Sequence, residues 1–316
     1  MESNAVEVRD LLVLDRTDRP LLQVPEFTLP RGEVCGLYGA SAQVTTLFLN
    51  CVAGVRVPDA GSVSAFGVAV SPYVSAGHAL GVLTRDGSLF TDYSVATNLS
   101  LALRFSLPGW RFRGARATHM TRIATVLALE PWLRVPVKRL TPGVRQCLRL
   151  ACALAHDPRL LVADDPWGQA DQESRGVIQR ALRDHCDRGN TLLFTSPREE
   201  EIVEFASEVC LFNQTTLIAR GTLDHLRRYL DSQETVFVRV QSQASLLVSQ
   251  FLGLPGVLRC DHTANTVRIL AKPGSVRLTR LAEYVQDLGL ELLDIHIEKP
   301  GLGEIYATVV GETGPA

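Results

Sequence analysis

The sequence predicts an α/β fold in which a large domain with a mostly parallel, helix-flanked sheet precedes a small α+β domain. Three observations carry this. Short, strongly apolar runs at 34–37, 160–163 and 191–195 alternate with longer helical patterns, as buried parallel strands and their crossover helices do. Two of these runs end in residues suited to chemistry: Gly39 closes the first, and Asp164-Asp165-Pro166 closes the second. Beyond residue 230 the order becomes strand, helix, strand, strand, helix, strand, the split βαβ or ferredoxin-like pattern.

In chain order, a strand over 6–14 leads through a polar turn at 16–20 to a second apolar stretch at 27–29. The strand ending at Gly39 is followed by a helix expected over 45–52, with Gly54 suited to its C-terminal cap. Short strands follow, the last at 80–83, and then a mostly helical region from 95 to about 133, interrupted at Pro108-Gly109. A helix over 144–155 precedes the strand 160–163, and a helix over 172–186 precedes the strand 191–195. The small domain reads as strand 236–240, helix 244–251, strands 257–260 and 266–270, helix 276–288 and strand 292–297.

At 316 residues the chain is long enough for two domains with proper cores. The formal net charge of −2 gives no electrostatic reason to expect nucleic acid. The seven cysteines are scattered singly without metal-ligand spacing, which reads as buried, reduced thiols. No apolar run approaches a membrane span, and the N-terminus lacks a signal-peptide pattern. The expectation is a chain that is soluble on its own and reaches a membrane only through a partner. Only Lys138, Lys272 and Lys299 are lysines, so no lysine precedes position 138.

Strand, glycine, helix is the arrangement of a phosphate loop, and Gly39-Ala40-Ser41-Ala42-Gln43-Val44-Thr45-Thr46-Leu47 occupies that place. An apolar strand ending in Asp164-Asp165-Pro166 offers carboxylates that suit a hard cation. Just before it, Leu140-Thr141-Pro142-Gly143-Val144 opens a helix that Thr141 can cap and that Pro142 can begin.

Taken together and in this order, these motifs resemble the ATP-binding subunits of ABC transporters over residues 5–230. In that register Gly39, Ser41, Thr45 and Thr46 stand in the nucleotide-binding loop, and Ala53-Gly54 follows without a gap. Thr46 and Asp164 stand at the magnesium ligands, and Asp165 at the general base. Thr141 and Gly143 belong to the signature, and Asp171 to the D-loop. Arg85 takes the glutamine position of the Q-loop, followed by the matching segment 88–99, and Pro197 takes the place of the switch histidine. No aromatic for stacking adenine is evident at 14–16. The resemblance implies a P-loop NTPase-like ABC ATPase domain with a helical subdomain over 5–230, and the order of elements beyond it reads as an accessory α+β, ferredoxin-like domain over 231–316. The ending, Lys299-Pro300-Gly301-Leu302-Gly303-Glu304-Ile305-Tyr306, is similar to the tail of exporters for drugs, polysaccharides and gliding-motility factors.

The departures bear on chemistry. Ala42 and Val44 replace glycines whose left-handed dihedrals curl backbone N–H groups around phosphate, so a different loop shape is expected. Thr45 replaces the lysine that faces the terminal phosphates. Asp165 is one methylene shorter than glutamate, which alters general-base geometry. Pro142 lacks an N–H, and Val144 lacks the glutamine amide. The expected function is that of the nucleotide-binding subunit of an ABC exporter with impaired or absent ATP hydrolysis, ATP and magnesium being its cofactors if nucleotide binds. Its expected partners are a membrane permease and a second ATP-binding subunit, at the cytoplasmic face of the cell membrane. A non-transport scaffold or regulator, and an active homodimeric ATPase, are the alternatives. Trp110 and Trp132 lie in the region that faces the permease in this family; interface packing and ordinary burial both suit them.

Overall fold

The protein is described by a computed structural model covering residues 4–39, 41–70, 79–85, 87, 89–107, 113–229, 234–272, 274–298 and 301–312. Ala40, Ser88, Pro108, Gly109, Trp110, Lys299 and Pro300, named above, lie outside the described residues. The chain divides into two compact units, Met1–Thr222 and Leu223–Ala316.

The first unit opens with strands β1 (Val6–Leu14) and β2 (Pro20–Leu29), then β3 (Val34–Gly39), helix α1 (Ala42–Val52), and strands β4 (Ala60–Ala65), β5 (Val68–Ala69) and β6 (Leu80–Leu83). Helices α2 (Val95–Ser106), α3 (Arg113–Val126) and α4 (Pro142–Leu154) lead to β7 (Leu160–Asp164). Helix α5 (Gln172–Asp187), β8 (Thr191–Thr195), α6 (Glu199–Phe205), β9 (Glu208–Phe212) and β10 (Leu217–Gly221) complete it. Two sheets result: one of order β2-β1-β4-β5, antiparallel throughout, and one of order β10-β9-β3-β8-β7-β6. In the second, only the edge strand β10 runs antiparallel to its neighbour.

Helix α1 is packed between the sheets. Its Phe48 ring lies 5.2 Å from both Phe27 on β2 and Phe212 on β9. Cys35 and Leu37 of β3 point into this layer, whereas Gly36 faces α6, where a Cβ would stand 2.7 Å from Ile202 Cγ2. That close approach requires glycine in the middle of the strand. Strands β7 and β8 are buried along their whole length, which explains their uninterrupted apolar sequence. The carboxyl ends of β3, β6, β7 and β8 meet along one edge, bringing Gly39, Arg85, Asp164 and Thr195 to the same side.

The second unit comprises α7 (Leu223–Tyr229), β11 (Glu234–Val240), α8 (Ser245–Leu252), β12 (Val257–Thr263), β13 (Thr266–Ala271), α9 (Leu278–Asp287), β14 (Leu292–Glu298) and α10 (Leu302–Glu312). Its antiparallel sheet has the order β12-β13-β11-β14, the arrangement of a ferredoxin-like fold. Leu247 and Phe251 of α8 and Leu281 and Val285 of α9 bury the sheet's inner face with Val236, Val238, Val267 and Ile269. Helix α7 packs against α10, so the division falls ahead of the change in sequence character near residue 230. Among the described residues no helix is long and apolar enough to cross a membrane, and no three His, Cys, Asp or Glu side chains cluster as a metal site.

Candidate functional site

The strand–loop–helix at 34–52 differs from the expected start of its helix. Helix α1 begins at Ala42, three residues early, with Ser41 as N-cap accepting a 3.1 Å bond from the Gln43 N–H. Ala42, Gln43 and Val44 are therefore helical, and none has the positive φ of a phosphate-binding nest. Thr45 turns inward: it is 4% exposed, and its hydroxyl bonds back to the Ala42 carbonyl at 3.2 Å. Gly39 has a packing reason of its own, since a Cβ there would lie 2.8 Å from the Phe212 carbonyl oxygen.

Thr46 and Asp164, 118 residues apart in sequence, are brought into direct contact. The Thr46 hydroxyl donates to Asp164 Oδ2 at 2.9 Å. The other carboxylate oxygen, Oδ1, accepts the Thr195 hydroxyl at 2.6 Å and faces the Arg85 guanidinium at 3.4 Å. Asp164 is 3% exposed. A magnesium ion would need several oxygen ligands around it, but this carboxylate is buried, and its oxygens are met by two hydroxyl donors and an arginine. The donor set does not fit a divalent ion without displacing those partners.

Asp165 adopts φ 51, a left-handed conformation that aspartate tolerates better than most residues. Its N–H donates to the Thr195 hydroxyl at 3.1 Å, and its carboxylate accepts the Gly168 N–H at 3.0 Å. The short side chain thus closes the turn after β7, as an Asx-type turn does. Burial pushes its pKa up, with the Gly168 N–H and Arg85 opposing that shift. Gln146, buried on α4, supports the same turn by donating to the carbonyls of Asp165 and Pro166 at 3.2 and 2.9 Å.

The helix that opens with Thr141 has few N–H groups to offer an anion. Pro142 has none, the Val144 N–H donates to the Thr141 hydroxyl at 3.3 Å, and the Arg145 N–H donates to the Thr141 carbonyl at 3.0 Å. Gly143 is buried beneath the start of α5, where a Cβ would stand 2.3 Å from Ser174 Oγ and 2.8 Å from Asp171 Oδ2. Asp171 caps α5 through a 2.8 Å bond from the Ser174 N–H, and that bond together with the Ser174 side chain lowers its pKa. Gly143 and Asp171 are therefore adjacent within one chain. Gly143→Ala is expected to cost about 1–3 kcal/mol through overpacking of α4 against α5, read as a lower urea midpoint with unchanged slope.

Pro197, at the position expected for a switch histidine, begins a segment held by Glu201, which accepts from Arg175 and from the Ser196 hydroxyl. Trp132 is half-buried beside a small cleft with Thr141 and Asp171. Two contributors escaped the sequence reading. Thr195 binds Asp164 and Asp165 together; its signal was a hydroxyl at the very end of an apolar strand. Arg149, one helical turn after Arg145, donates to the carbonyls of Thr84 and Arg85 and to Gln146. A cleft of about 400 Å³ lies among these groups, lined by Arg85, Arg145, Arg149, Gln146, Asp164 and Asp165.

A central strand–loop–helix with a hydroxyl meeting an aspartate at the end of a nearby parallel strand defines the P-loop ATPase fold class. Solved structures agree: an ATP-binding subunit of an ABC transporter superposes with a TM-score of 0.63 at 20% identity, covering 71% of this chain and 92% of that one. A nucleotide-free ATP-binding cassette gives 0.60 at 14% identity, covering 69% and 91%.

Residues 22–168 match the family model described as ABC transporter. The chain carries an ABC transporter ATP-binding domain. Such a domain implies nucleotide binding. The chain is 31% identical to the Nod factor export ATP-binding protein I of Ralstonia nicotianae, over 62% of this chain and 60% of that protein. It is 30% identical to the sulfate/thiosulfate import ATP-binding protein CysA of Caulobacter vibrioides, over 69% and 64%. The match thus spans less than two thirds of the length of either relative. The daunorubicin resistance ATP-binding protein DrrA3 of Streptomyces coeruleorubidus is 27% identical over 93% of this chain and 92% of that protein.

Proposed function

We propose that this protein is the ATP-binding subunit of an ABC exporter whose own hydrolytic site is impaired, working with a membrane permease and a second ATP-binding subunit. The observation that carries the impairment is the start of α1 at Ala42. It leaves no glycine nest over 42–44 and buries the residue at the lysine position. Further support comes from Asp165, whose carboxylate is engaged in its own turn, where a general base must reach a substrate water. The exporter reading is supported by the similarity to the daunorubicin resistance protein, which continues through the second unit. Residues 5–230 then form the nucleotide-binding domain, and residues 231–316 an accessory domain. Gly39, Ser41 and Thr46 border the nucleotide in this reading, and the subunit sits on the cytoplasmic side of the membrane through its permease.

Fluorescent ATP binding and phosphate release by the purified chain test this reading. Bound nucleotide with no turnover above a protein-free control is the expected result. Turnover that disappears in the Asp165→Asn variant would identify an active ATPase and overturn it. Affinity capture from detergent-solubilised membranes is expected to recover a permease and an ATP-binding subunit with an intact lysine loop.

A further inference from the structure

Arg85 does not reach Asp164 by chance of an exposed rotamer alone. The backbone that carries it, just after β6, is clamped from the other side by the Arg149 guanidinium through the carbonyls of Thr84 and Arg85. One arginine therefore fixes the position of another. The Arg85 side chain is 44% exposed while its partner carboxylate is 3% exposed. The cation thus has one face on Asp164 and one on the cleft shared with Arg145 and Arg149.

A guanidinium is charged at every working pH, is planar, and binds phosphate oxygens through two parallel N–H donors. A divalent ion between a buried aspartate and a polyphosphate would perform the same electrostatic task, neutralising both. The Thr46 and Thr195 hydroxyls already complete the carboxylate's hydrogen bonding. The site therefore has its anion, its hydroxyl donors and a positive charge before any ion arrives.

We infer that Arg85 is a resident counter-ion standing in for the divalent cation, so that nucleotide associates with this domain without magnesium. The inference rests on the reading that the domain binds nucleotide. No loop lysine accompanies it, and Arg85 is the cation that joins Asp164 to the phosphates in this reading.

Trinitrophenyl-ATP binding to the full chain, in magnesium and in EDTA, tests this. The wild-type dissociation constant is expected to change by less than about twofold between the two, and Arg85→Lys, which keeps the charge but loses the paired N–H donors, to bind several-fold more weakly in EDTA. Arg85→Gln is expected to weaken binding in EDTA by about tenfold or more, the scale of one charge-assisted hydrogen bond, with magnesium restoring it. Wild-type binding that requires magnesium would overturn the inference. Absence of binding under both conditions would defeat the nucleotide reading instead, and a second measurement then decides about Arg85. Calorimetric titration of the nucleotide-free chain with manganese is expected to show no binding by wild type and a new site in Arg85→Gln. Manganese binding by wild type that Asp164→Asn removes would overturn the counter-ion role.

Discussion

Replacing Asp164 with alanine is expected to lower folding stability by about 3–5 kcal/mol, the scale of breaking a buried, hydrogen-bonded charge. The Thr46 and Thr195 hydroxyls would lose their acceptor, Thr195 inside a fully buried strand. Helix α1, β7 and β8 would lose the group that joins their ends. Most of the loss falls on these two hydroxyls. The Arg85 contact contributes less, because Arg85 is substantially exposed at a distance of 3.4 Å. Asp164→Asn keeps one acceptor oxygen and is expected to cost about 1–2 kcal/mol. Urea unfolding of both variants provides the comparison. A loss below about 1 kcal/mol in the alanine variant would show that the carboxylate does not hold these elements together.

Acid is expected to remove about 3 kcal/mol of stability through His185 alone. This residue is 0% exposed on α5. Its Nε2 lies 3.3 Å from the Thr191 carbonyl, which assigns the proton to Nε2, and Nδ1 has no hydrogen-bond partner among the described residues. Burial pushes its pKa down from 6.5 to about 4, because a second N–H and a charge would have to be accommodated without a partner. Above pH 6.5 folded and unfolded chains are both neutral here and the stability is fully present. As pH falls from 6.5 toward 4 only the unfolded chain takes up the proton, so stability is lost across that window. His185→Gln keeps a donor for the Thr191 carbonyl and cannot titrate. The difference between the two proteins in denaturant midpoint should shrink steadily between neutral pH and pH near 4. A constant difference would mean that His185 takes up its proton over the same pH range in the folded and the unfolded chain.

Two features of the cysteines fit the same picture of a tight core. Cys35 and Cys210 sit 3.6 Å apart between β3 and β9, and the Cys210 contact followed by burial raises the Cys35 pKa well above its ordinary value. Cys51 and Cys152 are pushed up to about 12 by burial. Thiols in such surroundings carry little thiolate and act as small apolar side chains.

Sequence reading was strongest where burial is complete. Strands such as β7 and β8 are covered on both faces, so their composition is apolar without interruption and their limits can be read directly. The ferredoxin-like order of the second unit was legible for a different reason: its elements bury one face, so apolar positions recur at strand and helix spacing. Helices α6 and α7, of seven residues each, are too short to display a period, and α6 opens on three glutamates that resemble a solvated turn. Helix α10 has only a weakly defined apolar face, so periodicity does not mark it as a helix.

Legible in the sequence alone are the ABC ATP-binding order of elements, the absence of any lysine before position 138, and a proline directly after Thr141. Composition and order are local properties, so no folding is needed to see them. What the remaining polar residues do follows from the folded arrangement. It placed Thr195 and Arg85 on Asp164, turned Asp165 onto Gly168, sealed Gly143 under Asp171, and began α1 at Ala42 so that Thr45 points inward. Those outcomes depend on strands separated by tens of residues ending at one edge of a sheet. A buried carboxylate takes whichever donors that edge brings within about 3 Å, and the partner's identity is a matter of geometry that spacing along the chain does not encode.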